Sequence, residues 1–513
     1  MPALLAESLG DMARQMAAQP DPPSGDAEAI AVHLAALVGR LMPSRGWLAA
    51  ERHADGEPIW TGRLRPYDES TMRKRAHELA RCGGTELAAR AVEASVEQAV
   101  AASGRKAVAY TDMFDQVYWT KKPAYAAPIG GRGNRLLAAT YFGMTFVRVG
   151  DTAALAYHVS WHKPASPLQD ALEAVHGAAR RADWLSRNIR LHIWDRGGSG
   201  RPTLRWALAR RIPYLTVMQG STKWTRYRRP PRVHTRSRVP VFVRRDVAAA
   251  GGSPKGSSPE IVIYPAHPEK GRRATKALRY RTGAPLSKTD LRQIDQVYKT
   301  RWPCNENAIK ALVAVGFDRN LDRHLTPTTS RGTDGRLFRL QAREHALGAK
   351  IAAFHPTTVP QAIRQARPLV RQQRACARER AKIAAIPKDK GARMNDGAEL
   401  LCKNLMLLLY NRLTLLLTRS HLNDVRTMTP ARVHELLLER GMLAYTEERA
   451  MTLWVDPAAS PADRTLQHEL VRLLDEQALS LRGRELRLRI RDSAERWQPV
   501  GPSELRQPLR VSR

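Results

Sequence analysis

NIRLHIWDRGG, Asn188 to Gly198, is the stretch that decides how this chain folds. A β-rich apolar run ends on Asp195, and two glycines follow at once, which reads as a strand entering a tight turn. KAVAYTD, from Lys106 to Asp112, has the same form. Between the two, LLAATYFGMTFVRV from Leu136 and AALAYHVSW from Ala153 read as strands, and Ser166 to Arg187 carries helical spacing. Downstream, RGGSGRPTLRWALARR reads as loop and helix, and IPYLTVMQG from Ile212 as another strand. Three strands, then helix, strand, helix, strand is the order of a mixed sheet flanked by helices.

That order is the ribonuclease-H-like one. The expected class is therefore α/β: a ribonuclease-H-like mixed sheet with a β-rich insertion, flanked by N- and C-terminal helical regions. Residues 1–105 read as an N-terminal helical region, expected to bind DNA. Residues 106–220 and 277–330 are expected to form the ribonuclease-H-like domain, 221–276 the basic β-rich insertion, and 331–513 a mostly helical C-terminal region.

Charge narrows the function. The chain has 84 Lys and Arg against 49 Asp and Glu, a formal charge of +35 and a pI near 10.8. Such an excess repels itself unless a polyanion shares it, so nucleic acid is the expected partner. Cys82, Cys304, Cys376 and Cys402 are scattered, with no CxxC pair, which argues against a disulfide framework and a zinc finger. The opening MPALLAESLGDMARQ places acids in its apolar stretch and lacks a basic lead-in, so it does not read as a secretion signal. The longest apolar run, Leu405 to Leu417, is interrupted by Asn411 and Arg412 and reads as too short for a bilayer. No membrane partner is expected.

Smaller features fill in the frame. Glu69 to Cys82 has a basic helical face from Arg73, Lys74 and Arg75, and Gly83-Gly84 ends it before a second helix capped by Thr85. The pair resembles a helix-turn-helix, but Glu86, Glu93 and Glu97 make the second helix a poor major-groove surface, so a packing role is the commoner reading. Lys223 to Arg245 has no acid and interleaves Trp224 and Tyr227 with Arg226, Arg228 and Arg229. Charge runs are often only solvated surface; the aromatic interleaving favours DNA contact. His158 and His162 read as structural, and Asn404 and Asn411, one heptad apart, as buried hydrogen-bonding groups. A further basic stretch runs from Arg367 to Arg393.

The chemistry-bearing residues are three acids. Asp112 and Asp195 stand at the carboxyl ends of expected strands, where side chains project into a shared crevice. Either one alone would more often be a turn former. Glu306 lies in YKTRWPCNENAIK, with Tyr298, Arg301, Trp302 and Lys310 around it. Asp115 competes with Asp112, but Asp112 lies closer to the strand.

Together these blocks resemble the DDE transposases of bacterial insertion sequences, in the branch with a Tyr-Arg-Glu-Lys signature. YTDMFDQVYWTKK from Tyr110 is similar to the first-acid block, IWDRGG from Ile193 to the second, and LRYRTGAPLSKTDLRQIDQVYKTRWPCNENAIKAL from Leu278 to the third. The resemblance covers about Lys106 to Leu325. Two departures stand out. Arg301 and Glu306 have four residues between them where the family places three, with Asn305 at the usual place, and Lys310 is nearer than the family Lys. Pro303 is expected to restart the helix and absorb the extra residue.

The resemblance implies a metal-dependent DNA transposase with catalytic, metal-binding Asp112, Asp195 and Glu306. Two Mg²⁺ or Mn²⁺ ions suit carboxylate ligands and phosphoryl transfer. Water would attack a phosphodiester at the transposon end, and the freed 3′ hydroxyl would attack target DNA. Tyr298, Arg301, Lys310, Trp302 and the Trp224, Arg226, Arg228, Arg229 segment would contact DNA. The implied partners are terminal inverted repeats and target DNA, bridged by a homodimer in the bacterial cytoplasm near the nucleoid. Two alternatives stay open: a catalytically inactive or domesticated DNA-binding relative, and a ribonuclease-H-like nuclease without strand transfer.

Overall fold

The computed structural model describes residues 2–41, 67–118, 127–128, 136–150, 154–162, 166–217, 232–234, 240–244, 260–263, 278–283, 294, 296–317, 325–328, 331–353, 359–384, 392–395, 397–437, 442–446, 449–481, 483–491 and 509–511. The N-terminal part is helical: α1 (Ala6–Ala17), α2 (Ala27–Leu41), α3 (Glu69–Leu79) and α4 (Thr85–Ser103). In α1 the apolar Leu9, Met12, Ala13 and Met16 recur at helical spacing, and all four are buried. Asp68 caps α3 by accepting the Thr71 N–H at 2.8 Å. Gly83, at φ +73°, turns the chain into α4. A Cβ on Gly84 would lie 2.6 Å from the Leu79 carbonyl oxygen, so only glycine fits there.

The sheet begins with β1 (Ala107–Tyr118), β2 (Leu136–Arg148) and β3 (Ala154–His162). Helices α5 (Leu168–Gly177) and α6 (Ala179–Asn188) lead to β4 (Ile189–Trp194), and α7 (Arg201–Ala209) leads to β5 (Tyr214–Val217). Then come β6 (Arg232–His234), β7 (Pro240–Arg244), β8 (Glu260–Ile263) and β9 (Leu278–Thr282). The strand order is β3-β2-β1-β4-β5-β9-β8-β7-β6, with Ala127–Pro128 pairing the start of β2. Pairing is antiparallel from β3 to β1, parallel from β1 through β4 to β5, and antiparallel beyond. The fold class is thus α/β with a mixed sheet. Strands β6, β7 and β8, from the 221–276 stretch, extend this sheet and do not build a second one.

Ser166 to Arg187 is not one helix. Ala178 is extended, at φ −79° and ψ 127°, and separates α5 from α6. The corner lets Arg181 fold back and donate to the Ala174 and Val175 carbonyls at 3.0 and 3.2 Å, satisfying the end of α5.

Past the sheet lie α8 (Asn307–Ala314), β10 (Leu325–Thr328), the long pair α9 (Arg331–Ala352) and α10 (Val359–Ala384), then β11 (Ala392–Asn395) and α11 (Gly397–Leu417). Strands β10 and β11 pair with each other at the root of the α9–α10 hairpin. A C-terminal five-stranded sheet carries α14 (Pro461–Asp475), following α12 (Asn423–Arg426) and α13 (Pro430–Leu437).

Helix α11 organises the core. The apolar run from Leu405 belongs to this longer helix, which by length and composition could cross a membrane but is mostly buried inside the fold. It packs on β3 and α4. Phe142, Met144 and Phe146 of β2 join its core, whereas Gly143 faces the other way, where a Cβ would lie 2.3 Å from Ala171 Cβ of α5. The sheet therefore has α11 on one face and α5 on the other. Helix α4 packs against α11, and its Glu93, only 2% exposed, pairs with Arg181 at 3.0 Å and with Arg180. A helix so engaged serves packing, the commoner of the two readings above.

Two of the polar residues named from the sequence are structural. Asn411 accepts the Ala156 N–H through Oδ1 at 2.8 Å and donates through Nδ2 to the Ala156 carbonyl at 2.8 Å and to Ser95 Oγ at 2.9 Å. It covers backbone groups that edge strand β3 would otherwise leave unpaired. His158 is buried, with its Nδ1 3.6 Å from Glu93.

Candidate active site

Asp112 lies inside β1, not at its end, because β1 continues antiparallel to β2 as far as Tyr118. On its other side, however, parallel pairing with β4 stops at Thr111↔Trp194. The next residues on the two strands are Asp112 and Asp195. The register of two adjacent parallel strands therefore delivers both carboxylates to one opening. Asp112 Oδ1 accepts the Met113 N–H at 2.8 Å. The backbone at Asp195 is held by Gly198 N–H and Thr216 Oγ, both donating to its carbonyl, at 3.0 and 3.1 Å.

The third acid arrives by an irregularity in a helix. Residues Trp302–Glu306 form a π-helical turn, in which the Asn307 N–H reaches back five residues to the Trp302 carbonyl. A π-turn accommodates one extra residue without breaking the helix. The backbone stays helical through Pro303, so the residue in excess between Arg301 and Glu306 is taken up by the turn and not by a restart at the proline. The consequence for the side chains is decisive. Asn305 is fully buried, with neither side-chain atom bonded, whereas Glu306 reaches the opening.

Arg301 sits at the centre of the three acids. Its Nη1 donates to Asp112 Oδ2 at 2.7 Å and its Nη2 to Glu306 Oε1 at 2.6 Å, while Asp195 Oδ1 lies 3.7 Å from Nη2. Burial works against the Arg301 charge, and the carboxylates, Asp112 foremost, more than offset it and raise its pKa. Burial is also what pushes Asp112 up to about 6; Arg301 pulls it down, and Asp195 and Glu306 push it up again. One guanidinium among three carboxylates leaves negative charge uncompensated, so the cluster favours a further cation.

The surroundings fix these groups. Tyr298 Oη donates to Asp195 Oδ1 at 3.4 Å, its ring lies under the Arg301 guanidinium, and burial raises its pKa. Thr300 donates to the Val297 carbonyl and so receives the hydroxyl of Tyr110, 2.8 Å away, which ties the helix to β1. At the far end of α8, buried Lys403 donates to the Phe317 carbonyl, lies 4.8 Å from that ring's centroid and pairs with buried Glu399 at 3.1 Å. Core helix α11 thus anchors the element that follows Glu306.

Asp112, Asp195, Glu306, Arg301 and Tyr298 come together. Trp302 and Lys310 stand apart at the rim, Trp302 56% exposed with Lys310 Nζ 5.1 Å from its ring centroid. Trp224, Arg226, Arg228 and Arg229 lie outside the described residues, as do the start of the helix at Ser287 and Asp290 and the side chain of Asp115. The sequence signals did not point to Arg301 as partner of the acids, nor to the chain of buried Thr145, Thr111 and His192 with half-buried His176, linked at 2.7, 2.7 and 3.2 Å.

The donor set fits a hard cation: three carboxylates from two strands and a helix, which already hold a positive group. Their present spacing is set by the guanidinium, and among the described residues no three His, Cys, Asp or Glu form a ready metal-binding group. Comparison with known protein families finds no family model that matches the chain, and comparison with curated proteins finds no match.

Proposed function

We propose that the chain is a DDE transposase with a ribonuclease-H-like catalytic domain, acting in the bacterial cytoplasm on the nucleoid. The observation that carries this reading is the convergence of Asp112, Asp195 and Glu306 on one opening, from two adjacent strands and a helix. The strand order supports it: an antiparallel β3-β2-β1 meander joined to parallel β4 and β5. So does the charge of +35, which suits a polyanionic substrate.

In this reading Asp112, Asp195 and Glu306 would hold Mg²⁺ or Mn²⁺, which when bound activates a water or hydroxyl and offsets charge on the phosphate under attack. Arg301 would yield the carboxylates and donate to a phosphate of the bound strand, for which its forked donors are suited. Tyr298, neutral across the physiological range, orients Asp195 through its hydroxyl. Trp302 and Lys310 present an exposed aromatic face and a cation to DNA at the rim. Transposon ends and target DNA are the partners, and a homodimer would bridge them.

A second reading is a catalytically inactive DNA-binding relative. It is favoured by one observation: Arg301 occupies the centre of the acids. A plasmid assay separates the readings. A duplex carrying the sequence that flanks the gene is incubated with target plasmid and Mg²⁺. The transposase reading expects joined products; nicks without joining point to a plain nuclease, and no Mg²⁺-dependent product at all supports the inactive relative.

A further inference from the structure

Among the described residues, helices α9 and α10 pack chiefly on each other and so form an arm. Leu347 and Cys376 are buried between the two helices, and Arg380 Nε reaches Glu344 across them at 2.9 Å, with a second cross-link from Arg336 to Glu379. Between residues 331 and 384 there are 12 Arg and Lys against 3 Asp and Glu. The cross-links use two of those acids, so the rest of the arm is almost purely cationic.

The cations are ordered. Arg367, Arg371, Arg374 and Arg378 are spaced 4, 3 and 4 apart, so at about 100° per residue they fall within about 60° of one another on α10. Cys376 lies on the opposite side of the helix, against α9, and all four arginines are exposed. Among the described residues neither ion pair of the arm involves any of the four. Like charges at this spacing repel and weaken a helix, so the stripe does not serve the stability of the arm. It runs about 17 Å along the axis, the length of about five base pairs.

We propose that this arginine face grips the phosphate backbone of double-stranded DNA, holding the duplex beside the candidate active site. The proposal rests on the reading above that DNA is the partner, not on catalysis. The root of the arm supports the placement: β11 lies against β2, the strand next to β1 and Asp112. Guanidinium forks match phosphate oxygens. A lipid surface fits less well, because an interfacial helix needs large apolar side chains beside its cations, and the exposed neighbours of these arginines, Pro368, Gln372 and Ala375, supply none.

The test is binding of the full-length protein to a short fluorescent duplex of arbitrary sequence, in EDTA, over a salt series. The variant R367Q/R371Q/R374Q/R378Q is compared with a charge-matched control, R187Q/R419Q/R464Q/R487Q, whose residues are exposed elsewhere. Circular dichroism checks that both remain folded. The stripe variant is expected to lose at least tenfold in affinity, with the slope of log K against log salt flattened by about 3 to 4, since each phosphate contact contributes about 0.9. Equal slopes for the two variants overturn the proposal. So does a stripe variant that loses only its sedimentation with phosphatidylserine vesicles. Because the readout is binding without metal, a failure of cleavage leaves the arm standing; wild-type protein that does not bind duplex overturns both readings.

Discussion

Arg301 Nη1 lies 2.7 Å from Asp112 Oδ2, joining the residue that opens a π-turn to a carboxylate in the middle of the sheet. Arg301 is 11% exposed and Asp112 20%, so water screens the pair only in part. Removing one partner of such a pair strands the other's charge. Arg301→Gln is therefore expected to lose about 3 kcal/mol in EDTA. Millimolar Mg²⁺ should return part of that, because the three acids then lack their internal cation. Thermal unfolding with and without Mg²⁺ checks it; a variant indifferent to the metal would contradict the account of the cluster.

The π-turn makes neighbouring positions unequal. Exchanging them, as Asn305→Glu with Glu306→Asn, moves the acid from the opening into a fully buried site. The exchanged protein is expected to lose Mg²⁺-dependent nicking and to unfold at lower urea, since a buried carboxylate without a partner is costly. Retained nicking would show that the turn does not set which residue serves.

Asn411 is expected to matter for stability and not for chemistry. Asn411→Leu leaves the Ala156 N–H and carbonyl unpaired in the core, at a cost of about 3 kcal/mol. Urea unfolding reads it directly, and a loss below about 1 kcal/mol would mean that the edge of β3 finds other partners.

His176 predicts an acid-sensitive fold. Burial first, then Arg210 and Arg181, bring its pKa down to about 4, and burial takes His192 well below the usual histidine value. Between pH 4 and about 6.5 the unfolded chain binds the His176 proton and the native state does not. Stability is therefore complete above about 6.5 and falls as pH drops toward 4, by up to about 3 kcal/mol from His176. Urea midpoints taken across that range should decline, and His176→Gln should flatten the decline. An unchanged slope in the variant would remove His176 from the account.

Much of the frame was legible because it rests on local signals. Apolar runs ending on Asp112 and Asp195 marked two adjacent strands, and the glycines after Asp195 marked the turn. What escaped depends on tertiary pairing. β1 runs past Asp112 because β2 pairs with it that far, which strand propensity alone does not determine. The break at Ala178 goes with a tertiary contact, Arg181 donating to the end of α5, that helical spacing does not report. Arg301 read as a DNA contact, and its place among the three acids was not legible, since a basic residue near an acid in sequence says nothing of which carboxylates surround it. The arginines of α10 read only as a basic stretch until the burial of Cys376 showed which face is open.

The central claim, that Asp112, Asp195 and Glu306 form a catalytic centre for cutting DNA, is met most directly at Asp195. Its side chain is 35% exposed and its contacts to Tyr298 and Arg301 are long, so Asp195→Asn changes the charge with little structural cost. Cleavage of terminal-repeat DNA in Mg²⁺ and binding of the same DNA in EDTA are measured side by side. The account predicts that cleavage vanishes while affinity stays within about twofold of wild type, as expected for a residue that acts in the transition state. Cleavage at the wild-type rate by Asp195→Asn would contradict it.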